Sequence, residues 1–533
     1  DTNSLSTYQI MNLLIILLLV LSISNTSGFN YLVVSPAFGH SHSTFMGKLA
    51  DSLTEAGHNV TVLSIIISSK FRNISYTKST KDIVVVETTT EQDQLTENME
   101  NDDFARYWTQ EGTMLETIPS YLMFLKMAED GYKTFRDHAL PQMDYLKNNR
   151  PQYDAVFFES FFFMGKAIQE YLEIPVFLPV TSITHDYRFA ELIGEPVSPR
   201  YFTNFGNIMN FQERLTNTIS YYLGQILIAF PNWKTLQDPS KDLLVESEYH
   251  RAPYVFINSN PYIDFPRPLL SKTIEIGGIT VDVKKLKSEK VDEKWDNILK
   301  KRPHNVLISF GSMFKSIYMP DFYKENMVKV MKSFKNVSFI WKYESEETSF
   351  ANGAENIIFS KWVPQTALLA DSRLSAFFTH GGLGSVNELS YLGKPALLCP
   401  LFADQIRNSK MLTRHNGSIE ISKFNLENYN TLRSALHSIL FAESYSENAE
   451  KLAKKLEYQP TKPKELFVRH AEFAARFGEQ PAQDSNLRTM GFAAYYLLDV
   501  IAFLTSFVLL VIFVVFIMIR QIVKLLTIKS KRD

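Results

Sequence analysis

The feature that most limits what this chain can become is residues 500–519, a run of twenty without a charge between Asp499 and Arg520. In hydrocarbon a backbone must satisfy its own hydrogen bonds, so a lone apolar stretch of this length is a helix. At about 1.5 Å per residue it reaches roughly 30 Å, one hydrocarbon core. Beyond it stand Arg520, Lys524, Lys529, Lys531 and Arg532. The positive-inside tendency therefore puts the tail, 520–533, in the cytosol and everything upstream in a lumen. The final Lys529-Ser530-Lys531-Arg532-Asp533 fits a dilysine retrieval address for the endoplasmic reticulum, a signal read by a receptor. Near the other end, residues 13–21 are wholly apolar and are followed by Ser22, Ser24, Thr26, Ser27 and Gly28. An apolar core with a small-residue cleavage zone reads as a signal peptide over 11–28. It lacks a basic leader, and Met11 stands just before it, so residues 1–10 read as upstream translated sequence. The expectation is a single-pass type I protein of the endoplasmic reticulum membrane.

A chain of 533 residues exceeds one ordinary core and predicts two domains with appendages. Two stretches alternate strand and helix patterns, the mark of doubly wound α/β domains. The first runs through strands at 31–34, 60–66, 155–158 and 175–179, with helices at 44–55 and 164–171 and a loop at 35–43. The second runs through strands at 306–310, 338–341, 376–379 and 395–398, with a helix at 385–392 stopped by Gly393. The expected division is a first domain over 29–265, a linker over 266–300 opened by Pro266 and Pro268, and a second domain over 301–445. Helices over 446–490 return to the first domain. Aromatic, irregular insertions at 91–150 and 185–249 are where variable substrate contacts belong. A net charge of -2 offers no field for nucleic acid. The single cysteine, Cys399, excludes an intrachain disulfide and sits in an apolar run, where it reads as a small buried hydrophobe. Sequons stand at Asn73, Asn336 and Asn416. No His/Cys cluster or carboxylate pair suggests a metal.

The densest chemistry lies in Phe377-Phe378-Thr379-His380-Gly381-Gly382-Leu383-Gly384-Ser385-Val386-Asn387-Glu388, followed by Pro400-Leu401-Phe402-Ala403-Asp404-Gln405. An apolar strand ends at Thr379 and a glycine-rich turn opens a helix. Glycines let backbone approach a ligand, and a helix start offers free N–H groups to phosphate. His380 can donate to a pyrophosphate oxygen, and Ser385 is expected to cap the helix while contacting phosphate. This stretch, with Trp362-Val363-Pro364-Gln365 ahead of it, resembles the signature of the UDP-glycosyltransferase family, which includes glucuronosyl- and glucosyltransferases. The resemblance runs from Tyr31 to the tail. It implies a GT-B type α/β fold, two Rossmann-like doubly wound domains facing a cleft, with a C-terminal transmembrane helix. It further implies that Trp362 stacks on uracil, that Gln365 and Glu388 contact the nucleoside, and that Ser312, His380, Gly382, Gly384 and Ser385 line the diphosphate. Asp404 and Gln405 would hold sugar hydroxyls. The co-substrate would be a UDP-sugar, transfer would need no metal or other cofactor, and a homo-oligomer is compatible with the family.

A transferase needs a base on the acceptor hydroxyl. Residues 36–42, Pro-Ala-Phe-Gly-His-Ser-His, offer His40 and His42 just after a strand, where α/β domains place their sites. The chemistry does not choose between them. The family's spacing to the Gly57-His58 turn selects His42, leaving His40 as a neighbour and His58 as structural. Family members commonly carry aspartate where this chain has Glu159. The extra methylene still reaches an imidazole, so Glu159 is the expected partner that fixes the tautomer of the base. Inversion at the anomeric carbon follows from single displacement. Two alternatives stand at this level: an inactive UDP-sugar-binding membrane protein on the same fold, which would be expected to lose His42, and a hydrolase, against which the donor signature argues. The donor sugar stays open between glucose and glucuronic acid; the loop and the Leu383-Gly384-Ser385 variant resemble invertebrate members of the family, many of which use glucose, and this tilts the expectation slightly to glucose. The 40 Phe and 25 Tyr, including Phe161, Phe162 and Phe163 beside Glu159, favour a small lipophilic acceptor.

Overall fold

The computed structural model describes residues 28–98, 104–110, 135, 138–160, 164–185, 187–196, 205–206, 208–235, 249–288, 290–312 and 314–529. The expected signal peptide up to Ser27, the phenylalanines 161–163, much of both insertions and the last four residues lie outside these.

Two parallel sheets organise the chain. The first contains β1 (Asn30–Ala37), β2 (Asn59–Ile66), β3 (Asp82–Val86), β4 (Ala155–Glu159), β5 (Val176–Thr181), β6 (Val255–Ile257) and β7 (Thr273–Glu275), in the order β3-β2-β1-β4-β5-β6-β7. Helices α1 (His40–Glu55), α2 (Met164–Tyr171) and α3 (Phe211–Thr235) belong to this half. After α4 (Glu293–Lys300), the second sheet contains β8 (His304–Ser309), β9 (Val337–Lys342), β10 (Ile357–Ser360), β11 (Leu374–Thr379), β12 (Ala396–Leu398) and β13 (Ser418–Glu420), in the order β10-β9-β8-β11-β12-β13. It carries α5 (Gln365–Ala370), α6 (Leu383–Leu392) and α7 (Asp404–Thr413). Then follow α8 (Glu443–Glu457), α9 (Pro463–Phe477) and α10 (Leu498–Lys529).

A parallel sheet covered by helices on both faces is buried throughout, so its strands are continuous apolar runs. Tyr31, Leu32 and Val33 in β1 and Val306, Leu307 and Ile308 in β8 are accordingly inaccessible to solvent. In each sheet the order reverses beside the first strand, between β1 and β4 and between β8 and β11. Such a reversal opens a crevice at the carboxyl ends of the strands, because successive helices leave to opposite faces there. The topology thus prepares two crevices.

The structure moves several expected boundaries. Strand β1 continues to Ala37 and α1 begins at His40, so both histidines ride the first helical turn rather than a loop. Strand β7 belongs to the first sheet, and Trp295, Ile298 and Leu299 of α4 pack into the second core. The expected linker, 266–300, is therefore mostly absorbed by the two domains. Helix α8 still packs on the second core through Ala449, Leu452 and Leu456. The return is made by α9, whose Phe467 lies on Phe157 and Phe256 of the first core. His58 fastens that helix: its Nδ1 accepts the Phe29 N–H at 3.2 Å and its Nε2 meets Glu472 at 3.1 Å. Cys399 is fully buried, and burial pushes its thiol up, which leaves it inert. Residues Leu498–Leu525 of α10 are long and apolar enough to cross a membrane, and none of that stretch is buried against the protein.

Candidate active site

The first wall grows from the switch point of the first sheet. His42 leaves β1 on the opening turn of α1, and Glu159 ends β4, the neighbour of β1 on the other side of the reversal. His42 Nδ1 lies 3.5 Å from Glu159 Oε2 and 2.5 Å from Ser182 Oγ, just beyond β5. The Ser182 N–H points at both Glu159 oxygens, at 3.4 and 3.3 Å. The carboxylate is fully buried and the imidazole is one-fifth exposed. With its proton on Nδ1 the imidazole donates toward the carboxylate, which as an anion only accepts, and Nε2 is then the basic atom. The ring also rests on Phe38, centroids 4.4 Å apart. The expected partnership of His42 with Glu159 is thus geometrically present, with Ser182 as a third member that sequence reading missed. His40 turns away, its ring 5.3 Å from that of Tyr76 and 6.2 Å from that of Trp362.

The second wall grows from the other switch point. His380 follows β11, Gly311 and Ser312 follow β8, and the two turns interlock. Gly311 has φ 88°, and a Cβ there would stand 2.8 Å from His380 Nε2; one on Gly382 would stand 2.7 Å from the same atom. Only glycine lets the imidazole occupy this place. Burial first, then the charge of Lys342, lowers the His380 pKa to about 4. The ring is neutral near pH 7, so it can offer an N–H to phosphate but no positive charge. The charge comes from Lys342 at the end of β9, a second residue that sequence reading missed. Its Nζ donates to the Gly311 carbonyl at 2.6 Å and lies 5.7 Å from the Trp362 ring. Burial lowers its pKa, with Glu344 opposing.

The N-cap of α6 is Gly382, without a side-chain hydrogen bond. Ser385 was expected to cap this helix; it stands within the first turn instead, and its Oγ accepts from Gln365 Nε2 at 3.1 Å. Leaving the helix start uncapped keeps its N–H groups for an anion. Nothing lies within 4 Å of a Cβ built on Gly384, so that side of the turn is open. Gln365 also donates to Glu388 Oε2 at 2.7 Å, and Thr366 Oγ1 donates to Glu388 Oε1 at 2.7 Å. Burial pushes the Glu388 carboxyl up against these two hydrogen bonds. Trp362, two-thirds exposed, presents a large ring at the edge of the cleft.

Asp404 opens α7 after Ala403, whose φ of 52° is unusual for a residue with a side chain. Burial raises the Asp404 carboxyl, opposed by the hydrogen bond from Asn408 and then by His42 across the cleft. The Gln405 side-chain oxygen Oε1 accepts the N–H groups of Leu401 and Phe402 at 2.9 and 3.1 Å. What Gln405 retains for a ligand is its amide nitrogen. The two walls therefore face each other, joined at Trp362 against His40 and at Asp404 toward His42. No group of three metal-ligating side chains gathers among the described residues.

Residues 31–533 match the family described as UDP-glucoronosyl and UDP-glucosyl transferase. Rat UDP-glucuronosyltransferase 1A7 is 26% identical over 508 residues, 92% of each chain. Mouse UDP-glucuronosyltransferase 1A9 is 26% identical over 503 residues, 91% of this chain and 90% of its own. Among solved structures, a UDP-glucosyltransferase from Polygonum tinctorium, in complex with 3,4-dichloroaniline, superimposes with a TM-score of 0.55 at 15% identity, covering 85% of this chain and 99% of its own. The glycosyltransferase VinC, in complex with dTDP, gives 0.53 at 17% identity over 84% of this chain and all of its own. At these identities the structures establish the GT-B fold and no more.

Proposed function

The chain belongs to the UDP-glycosyltransferase family, and from that premise we propose that it moves a hexosyl group from a UDP-sugar to a hydroxyl of a small lipophilic acceptor, with inversion. The observation that carries this reading is His42 held by Glu159 and Ser182 on one wall, facing Trp362, His380 and Asp404 on the other. The acceptor O–H gives its proton to His42 Nε2 as its oxygen attacks the anomeric carbon. The bond from that carbon to the UDP oxygen breaks on the opposite face, and UDP departs with the electron pair. Glu159 stabilises the imidazolium as it forms. Lys342, the N–H groups opening α6 and neutral His380 stabilise the charge growing on the diphosphate. Trp362 takes the base, Gln365 and Glu388 the ribose, Ser312, Gly382, Gly384 and Ser385 the phosphates, and Asp404 with Gln405 the sugar. No metal enters these steps.

The donor is glucuronic acid or glucose; the mammalian relatives named above favour the first. Leu498–Leu525 as a single membrane span, with the domains luminal in the endoplasmic reticulum, brings a lipophilic acceptor close to the cleft. The test is turnover of UDP-glucuronic acid and UDP-glucose with a phenolic acceptor by the full chain and by His42→Ala. Loss of a general base costs about 10²–10⁴-fold in rate. Undiminished kcat in the variant would refute the assignment of the base, and no turnover of either donor by the parent chain would refute the reaction.

A further inference from the structure

Two side chains packed beside the donor turns of the second domain do not come from that domain. The chain between β3 and β4 of the first sheet makes a single helical turn at Phe104–Arg106 and then delivers Tyr107 and Trp108, both buried, into the hydrophobic core of the second domain. Trp108 is fully enclosed, edge-on to Phe310 with centroids 5.0 Å apart, and Phe310 immediately precedes Gly311. Tyr107 lies against Phe402, centroids 4.1 Å apart, and has the Phe314 ring at 5.8 Å. Large aromatic rings dominate the packing of a core, so this short segment is a strap of the first domain that is built into the second.

The strap contributes its backbone as well as its rings. Lys423, just past β13, is buried, and its Nζ donates to the Tyr107 carbonyl at 2.5 Å and to the Leu401 carbonyl at 3.2 Å. A buried ammonium needs such acceptors, so one cation ties the strap to the turn that runs from Leu401 to Gln405. That turn holds Ala403 at φ 52°, a conformation that a residue with a Cβ keeps only where its surroundings over-determine it. Constraints act on both sides of Ala403. Ahead of it, Leu401 is fastened to Lys423 and Phe402 is pressed on Tyr107. Behind it, Gln405 Oε1 accepts the N–H groups of Leu401 and Phe402. Asp404 follows Ala403 directly, so its direction is set by a turn that the first domain helps to close.

We propose that Tyr107 is a positioning residue for the sugar of the donor. Bracing Phe402 with its ring, and Leu401 through Lys423, it fixes the Ala403 turn that presents Asp404 and Gln405, while Trp108 anchors the strap. The inference rests on the UDP-sugar reading above. It adds that the grip on the sugar depends on a first-domain residue, so recognition of the donor sugar and the docking of the two domains are one arrangement.

The test compares two variants of the full chain: Tyr107→Leu, which keeps apolar volume but removes the ring, and Tyr107→Phe, which keeps a ring on Phe402. Both are assayed for kcat and KM with UDP-glucose and UDP-glucuronic acid, and for the Kd of UDP alone by calorimetry. On the proposed reading Trp362, His380 and the opening of α6 hold UDP without help from the sugar turn. The expected result for Tyr107→Leu is a donor KM raised about fivefold, with UDP Kd and acceptor KM within about twofold of the parent, and parent values in Tyr107→Phe. A donor KM that does not move overturns the proposal. So does a UDP Kd that rises in step with it, because the substitution then loosens the second domain as a whole. Should Tyr107→Leu not fold, the parent chain still decides. Hydrogen exchange over residues 104–110 is expected to slow with UDP-sugar beyond what UDP alone produces, and an equal response to the two ligands, including none, overturns the proposal. Turnover of neither donor by the parent chain refutes the UDP-sugar reading and this inference with it, whereas an active parent with an unmoved KM in the variant refutes this inference alone.

Discussion

His380 shows how a residue legible in the sequence acquires its chemistry from surroundings that are not. The strand–His–Gly-Gly pattern marks it as a candidate donor-site residue, but its neutrality comes from burial and from Lys342, well upstream in the chain. Its pKa near 4 is below the 6.5 of an unperturbed imidazole. Between these values the unfolded chain binds more protons than the folded one, so this residue makes stability fall as pH falls through the window. By pH 5 the loss relative to pH 7.5 amounts to about 2 kcal/mol. His380→Gln keeps a polar side chain without the titration, and denaturant unfolding of both proteins at the two pH values isolates the difference. Parallel losses would show that His380 is not held neutral. Ser182 and Lys342 escaped the sequence reading for a common reason. Each sits at or just beyond the carboxyl end of a strand, β5 and β9, and gains meaning only from partners brought in by the fold, 140 residues away for Ser182 and His42. Inspection of every strand end for polar residues, rather than of motifs alone, would have found both.

At the scale of elements, long or strongly punctuated ones were readable and short ones were not. The helix stopped by Gly393 ends there, with that glycine at φ 67° in the left-handed region. Strands β6, β7, β12 and β13 have three residues each; too short for periodicity, they exist because a parallel sheet supplies their partners. Only β12 was expected, on the strength of its apolar run. The glycines of the donor turns belong to this scale, since they govern how two loops interlock. Gly311→Ala would force an L side chain into φ 88° and press a Cβ against the His380 ring. The conformational cost alone is about 1–2 kcal/mol, and the displaced ring would weaken diphosphate binding. The expected outcome is a lower melting temperature together with a UDP Kd raised about tenfold by calorimetry, whereas Gly384→Ala, with open space around its Cβ, should melt like the parent. Unchanged UDP affinity in Gly311→Ala would mean that the interlocked turns do not form the phosphate wall.

Over the whole molecule, two doubly wound domains and a C-terminal helix long and apolar enough to cross a membrane could be anticipated, but the way the domains are locked together could not. Asp264 at the end of the first domain is buried, yet the Arg407 and Arg267 guanidinium groups override that burial and hold its carboxyl well below the usual range. Arg407 Nη2 on α7 reaches it at 2.5 Å. Nearby, a neutral chain runs between the two walls of the candidate site. Asn258 Nδ2 donates to the Ser182 carbonyl at 2.8 Å, and Asn387 Nδ2, beside Glu388 on α6, donates to Asn258 Oδ1 at 3.3 Å. Asn258 and Asn387 are both buried, so each bond carries a desolvation penalty if broken. The residue that bonds His42 on one wall is thereby positioned from the helix that opens toward phosphate on the other. Ser182→Ala should lower kcat about tenfold by loosening the base, and Asn387→Ala about fivefold by releasing Asn258 and with it the backbone of Ser182. Because the second change acts partly through the first, the double variant should lose less than the product of the two. The coupling should be 0.5 kcal/mol or more in a double-mutant cycle on kcat/KM. Independent sites would add to within about 0.3–0.5 kcal/mol, and that result would mean that donor helix and acceptor base are set by their own domains alone.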